Sequence, residues 1–180
     1  MKHQSGFTLI EALIVLAILA MLAAFVVPSV NGAVSAGHAA VERTALTEAL
    51  VLALDQSVIN DNDVVLCASR DGAACSGDVD WTSGWITFLD RDEDRERGTN
   101  DPLLRVHARL LPGVHLRSSI GRTHVVFQPR RGATAGSNVT FTFCDGRGAE
   151  KASTIVMANS GRMRSDKATL AQAVACVSMQ

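Results

Sequence analysis

The sequence predicts an α+β fold in which one long N-terminal helix carries a mainly antiparallel β-sheet domain. Three observations lead there. A nearly unbroken apolar run fills residues 7–27, a weaker helical period continues to Asp55, and beyond Asn60 the apolar period changes to two. With 180 residues the chain has room for one modest core and an appendage.

The apolar run comes first. From Phe7 to Val27 only Thr8 and Glu11 are polar, and the run is long enough to cross a hydrocarbon layer of roughly 30 Å. Nothing after Pro28 offers a second span. A secretory signal would end in a small-residue cleavage site, but Val26-Val27-Pro28-Ser29 follows this run. The segment is therefore expected to stay attached, with Lys2 on the cytoplasmic side. Pro28 removes one backbone donor, and Gly32, Ser35 and Gly37 weaken helix propensity. A bend or partly melted stretch is expected there. From His38 to Asp55, Leu46, Leu50, Ala53 and Leu54 recur at helical spacing. A helix from Phe7 to Asp55 would be about 74 Å long.

Eight short strands are expected after it: Asp63–Ala68, Gly84–Asp90, Leu103–His107, Val114–Arg117, His124–Gln128, Asn138–Cys144, Thr154–Ala158 and Arg162–Arg164. Turns rich in Gly or Pro separate most of them, and no crossover-helix pattern intervenes, so antiparallel pairing is expected. The expected organisation is a leader over 1–6, a membrane segment over 7–27, the outer part of the helix over 28–55 and a β-rich domain over 56–180.

Cys67, Cys75, Cys144 and Cys176 all lie beyond the apolar segment. None forms a C-x-x-C pair, and no His stands at zinc-ligand spacing from them, which argues against a structural zinc. Of three possible connectivities, Cys67–Cys75 with Cys144–Cys176 is the most economical, because Asp71-Gly72 can make a tight turn between the first pair. Following a membrane span, four cysteines fit an oxidising periplasm.

Charge is segregated along the chain. Residues 61–104 carry four basic and eleven acidic side chains, whereas residues 105–180 carry eleven basic and three acidic ones. Such a division suggests a charged partner for one surface. Fourteen of the seventeen basic residues are Arg, whose planar fork suits phosphate or carboxylate. Enzymatic signatures are missing: the five His are scattered, with no H-E-x-x-H and no G-x-S-x-G. No cofactor is implied.

Glu11 is the anomaly of the apolar run, since a carboxylate inside a membrane span costs a few kcal/mol and marks a functional position by default. The residues Gly6-Phe7-Thr8-Leu9-Ile10-Glu11 resemble the signal of type IV prepilins and type II secretion pseudopilins. That resemblance implies cleavage after Gly6 by a membrane prepilin peptidase and methylation of the new amino group of Phe7. It further implies that Glu11, fifth in the mature chain, pairs with the N-terminal amine of a neighbouring subunit. Downstream, Trp81-x-x-Gly84-Trp85-Ile86-x-Phe88-x-Asp90, Phe141-Thr142-Phe143-Cys144-Asp145-Gly146-Arg147-Gly148 and Ile155–Arg164 resemble the GspH/FimT family of minor pilins and pseudopilins. The implied fold is pilin-like. The implied partners are other pilin or pseudopilin subunits and the bacterial inner membrane.

Two polar clusters remain. Asp90, Asp92 and Asp94 alternate as at the start of a calcium loop, but Arg95 stands where such a loop needs Gly and Asp101 where it needs Glu. A solvated charged loop is the expectation, with no metal. Gly161-Arg162-Met163-Arg164 is the stronger candidate. On a strand Arg162 and Arg164 share a face, about 7 Å apart, near the spacing of adjacent phosphates along DNA. The motif resembles the G-R-x-R of DNA-binding FimT pilins, which implies double-stranded DNA as a partner in natural transformation. Lys167, Arg147, Arg130 and Arg131 belong to the same basic block and are candidates to extend the patch. With no Tyr, and both Trp in the acidic half, phosphate contact is expected rather than base stacking. The competing expectation is a type II secretion pseudopilin with no nucleic-acid role.

Overall fold

In the computed structural model, which describes residues 8–129 and 138–178, a single helix α1 runs from Leu9 to Asn60. The chain divides into two units, Met1–Val34 and Ser35–Gln180. In the first unit the apolar part of α1 has a mean hydropathy of 2.9 over eighteen residues and no buried side chains, so it is long and apolar enough to cross a membrane. Melting around Pro28–Gly37 is not observed, as the helical backbone continues through all of these residues. Proline removes only one N–H. Ala33, Ala36, Ala39 and Ala40 supply the propensity that the glycines lack.

Among the described residues of the second unit the two-residue period gives eight strands: β1 (Asp63–Ala68), β2 (Trp85–Asp90), β3 (Leu103–His107), β4 (Val114–Ser118), β5 (His124–Phe127), β6 (Val139–Asp145), β7 (Ser153–Met157) and β8 (Met163–Lys167). They form two four-stranded sheets, ordered β3-β2-β1-β5 and β4-β6-β7-β8, with every pairing antiparallel. A short helix, α2 (Leu170–Val177), follows. Its start is fixed by a capping box in which Thr169 and Gln172 satisfy each other's backbone N–H.

One core joins these parts. Leu46, Ala49, Leu50 and Ala53 of α1 share it with Leu66 and Val125 of the first sheet and with Leu116, Phe141 and Met157 of the second. Strand β2 is buried on both faces. Its Trp85 and Leu89 enter this core, while Ile86 and Phe88 pack with Val65, Cys67 and Val126 in a smaller one against Cys75. Disulfides join Cys67 to Cys75 and Cys144 to Cys176, with Cα atoms 5.6 and 6.1 Å apart. The second bridge ties α2 to the outer face of β6.

A polar pin fastens α1 to the sheets. The Glu42 side chain is 3 % exposed; its Oε1 accepts from Leu111 N at 2.9 Å, and its Oε2 lies 2.8 Å from His107 Nε2. The His107 ring stacks on Trp85 at 3.9 Å. Trp85 itself follows Gly84, where φ is +115° and an added Cβ would stand 2.3 Å from the His107 carbonyl oxygen. Only glycine fits there.

Candidate nucleic-acid interface

Among the described residues, strand β8 ends its sheet and pairs only with β7, placing Met157 opposite Met163 and Val156 opposite Arg164. The turn before it closes through Gly161 N to Ala158 O at 2.9 Å and Ala158 N to Arg162 O at 3.0 Å, with Gly161 at φ +78°. Alternation then separates the side chains. Met163 packs on the main core, while Arg162 and Arg164 stand exposed on the opposite face. Arg162 lies just outside the regular strand, which starts at Met163 and runs to Lys167, three residues beyond the expected end at Arg164.

The two arginines line an open recess of about 330 Å³ with Asn138, Val156 and Ala158. Arg164 Nε lies 3.1 Å from Asp166 Oδ2, but both side chains are more than half exposed, at 65 % and 54 %. Such a pair contributes about 0–1 kcal/mol and competes weakly with another anion. Among the described residues Arg162 has no acidic partner.

Of the remaining basic candidates, Lys167 and Arg147 do not join this face. The two-residue period puts Lys167 on the face opposite Arg162 and Arg164, at the far end of β8. Arg147 is engaged with Asp145, donating from Nε to Oδ1 at 2.8 Å and from Nη2 to Oδ2 at 2.7 Å. Burial pushes Asp145 upward, but the hydrogen bonds and charge of Arg147 outweigh it and hold the carboxyl below its ordinary range. Arg130 and Arg131 lie outside the described residues, as do Gly6 and Phe7.

At the other end of the chain, Glu11 Oε2 accepts from Thr8 N at 3.1 Å and from Thr8 Oγ1 at 2.9 Å, and Glu11 N donates to Thr8 Oγ1 at 3.3 Å. This is a capping box at the start of α1. Residues 1–27 match the prokaryotic N-terminal methylation motif, and residues 42–161 match the family described as Type II transport protein GspH. The chain belongs to the GspH family.

GspH-family members are structural subunits of pili and pseudopili, and membership implies assembly with other such subunits. The fold is similar to that of the type IV minor pilin FimU of Pseudomonas aeruginosa, seen in two crystal forms. One matches with 18 % identity and a TM-score of 0.51, covering 71 % of this chain and 90 % of that one. The other matches with 17 % identity and a TM-score of 0.50, covering 69 % and 90 %. No curated protein sequence matches the chain.

Sequence reasoning missed Asn138, Val156 and Ala158 as lining residues, because they reach the recess through strand pairing across the sheet. It also missed α2, although Thr169-x-x-Gln172 is a readable start signal. In this chain Thr8-x-x-Glu11 is a second such signal, giving Glu11 a local role.

Proposed function

We propose that this chain is a minor pilin of a type IV pilus that binds double-stranded DNA through phosphate contacts during natural transformation. The supporting observation is the pairing of Arg162 and Arg164 on one exposed strand face above a common recess. In this reading prepilin peptidase cuts between Gly6 and Phe7 and the new amine is methylated. The apolar part of α1 then anchors the subunit in the bacterial inner membrane with the β-rich domain in the periplasm. Glu11 exchanges its Thr8 contacts for the N-terminal amine of a neighbouring subunit, since a charge in low dielectric needs a partner. The role is non-enzymatic.

Binding is tested by fluorescence anisotropy with duplex DNA and the full chain in nonionic detergent. Two phosphate contacts give a log–log salt slope of about −1.8, so affinity falls roughly twelvefold between 50 and 200 mM salt. An Arg162→Gln, Arg164→Gln variant is expected to lose binding while keeping its melting temperature. Undiminished binding in that variant sinks the assignment. The family match to a type II transport protein favours a second reading, a secretion pseudopilin. Loss of secretion on deletion, with no DNA binding by the wild-type chain, would select it.

A further inference from the structure

The expectation of a solvated acidic loop after β2 meets one residue that is not solvated. Asp90 is fully buried. Its Oδ2 accepts from Arg95 N at 3.0 Å, but its Oδ1, also buried, has no hydrogen-bond partner. We infer that the loop following β2 binds a calcium ion between the carboxylates of Asp90, Asp92 and Asp94.

One oxygen from each of these side chains lies within 4.8 Å of the others. Calcium binds oxygen at 2.3–2.6 Å, so ligands on opposite sides of one ion stand about 4.6–5.2 Å apart, and the cluster has the right span. A buried carboxylate oxygen without a partner is costly, and a cation supplies the missing one.

The nearby arginines do not provide compensation. Among the described residues, none of Arg91, Arg95 and Arg97 forms an ion pair with the three aspartates. Arg97 Nη1 donates to Ala73 O at 2.9 Å, and Arg95 faces a recess shared with His124. Asp101 braces the loop instead, accepting from Arg91 N and Gly98 N at 3.0 and 2.8 Å. Three carboxylates completed by water fit the range of extracellular calcium modules, with dissociation constants of about 10⁻⁴–10⁻³ M.

The test is isothermal titration of the full chain in nonionic detergent with calcium chloride, alongside melting followed by tryptophan fluorescence. Saturable binding in that range is expected. At ten times the dissociation constant, the melting temperature should rise by about 3–6 °C. Asp92 and Asp94 are exposed, so an Asp92→Asn, Asp94→Asn variant folds. It should lose at least about tenfold in affinity and its thermal response to calcium. The inference is overturned by no heat and no thermal shift up to 10 mM calcium, by wild-type affinity in the double variant, or by an equal response to magnesium.

Discussion

Replacing Glu42 by alanine tests how α1 is fastened to the sheets. The substitution removes two bonds to one buried carboxylate, from Leu111 N and from His107 Nε2. The orphaned N–H of Leu111 costs about 1–3 kcal/mol, and loss of a charged partner for His107 costs about 1.5–3 kcal/mol. The His107 side chain is 26 % exposed, so water recovers part of the second cost. A net loss of about 2–4 kcal/mol is expected, which lowers the melting temperature by about 5–15 °C in a chain of this size. Glu42→Gln keeps an acceptor for Leu111 N and should cost about 1 kcal/mol. Urea unfolding of the full chain in nonionic detergent, followed by tryptophan fluorescence, measures both. Trp85 stacks on His107, so it reports directly on the pin. Glu42→Ala within about 0.5 kcal/mol of wild type, or Glu42→Gln as damaging as Glu42→Ala, would falsify the reasoning.

Three further predictions concern the second sheet. Cys144 and Cys176 are 32 residues apart, so replacing both by alanine should cost about 3–4 kcal/mol by loop entropy, read as a lower urea midpoint. Arg147→Ala leaves a nearly buried Asp145 without its partner and should cost about 2–4 kcal/mol with DNA affinity unchanged, the reverse of the Arg162, Arg164 double variant. The same pair sets an acid limit. Because Asp145 titrates lower in the folded chain than its ordinary value near 3.8, its contribution is present above that value and lost as pH falls through the folded one. Asp145→Asn should abolish that part of the acid slope, measured as melting temperature against pH.

Much of the fold was legible because its signals are local. The apolar run, the change of period after Asn60 and the turns between strands placed α1 and all eight strands within a few residues. The division into two sheets was not legible, since it depends on which strands pair across long separations, as β1 does with β5. The melting expected around Pro28 is absent because the alanines around it outweigh one missing donor. In the candidate site, the shared face of Arg162 and Arg164 was readable from strand alternation, whereas their choice as candidates rested on the resemblance to G-R-x-R and on the basic block around them. The engagement of Arg147 was not, because a basic residue two positions from an acid does not reveal that the acid is buried. Asp90 failed for the same reason, as its burial comes from β2 being covered on both faces.

Strand β8 closes its sheet, and among the described residues no further strand pairs with it. A free edge of this kind presents backbone donors and acceptors to any passing strand, including the same edge of a second copy. The sequence Met163-Arg164-Ser165-Asp166-Lys167 meets that hazard with charge: two cations and one anion project from five residues. Arg162 adds another cation at the entry. Two copies approaching edge to edge would have to strip water from these groups and bring like charges together. The arginines proposed to hold DNA therefore also disfavour edge-to-edge pairing of two copies through β8.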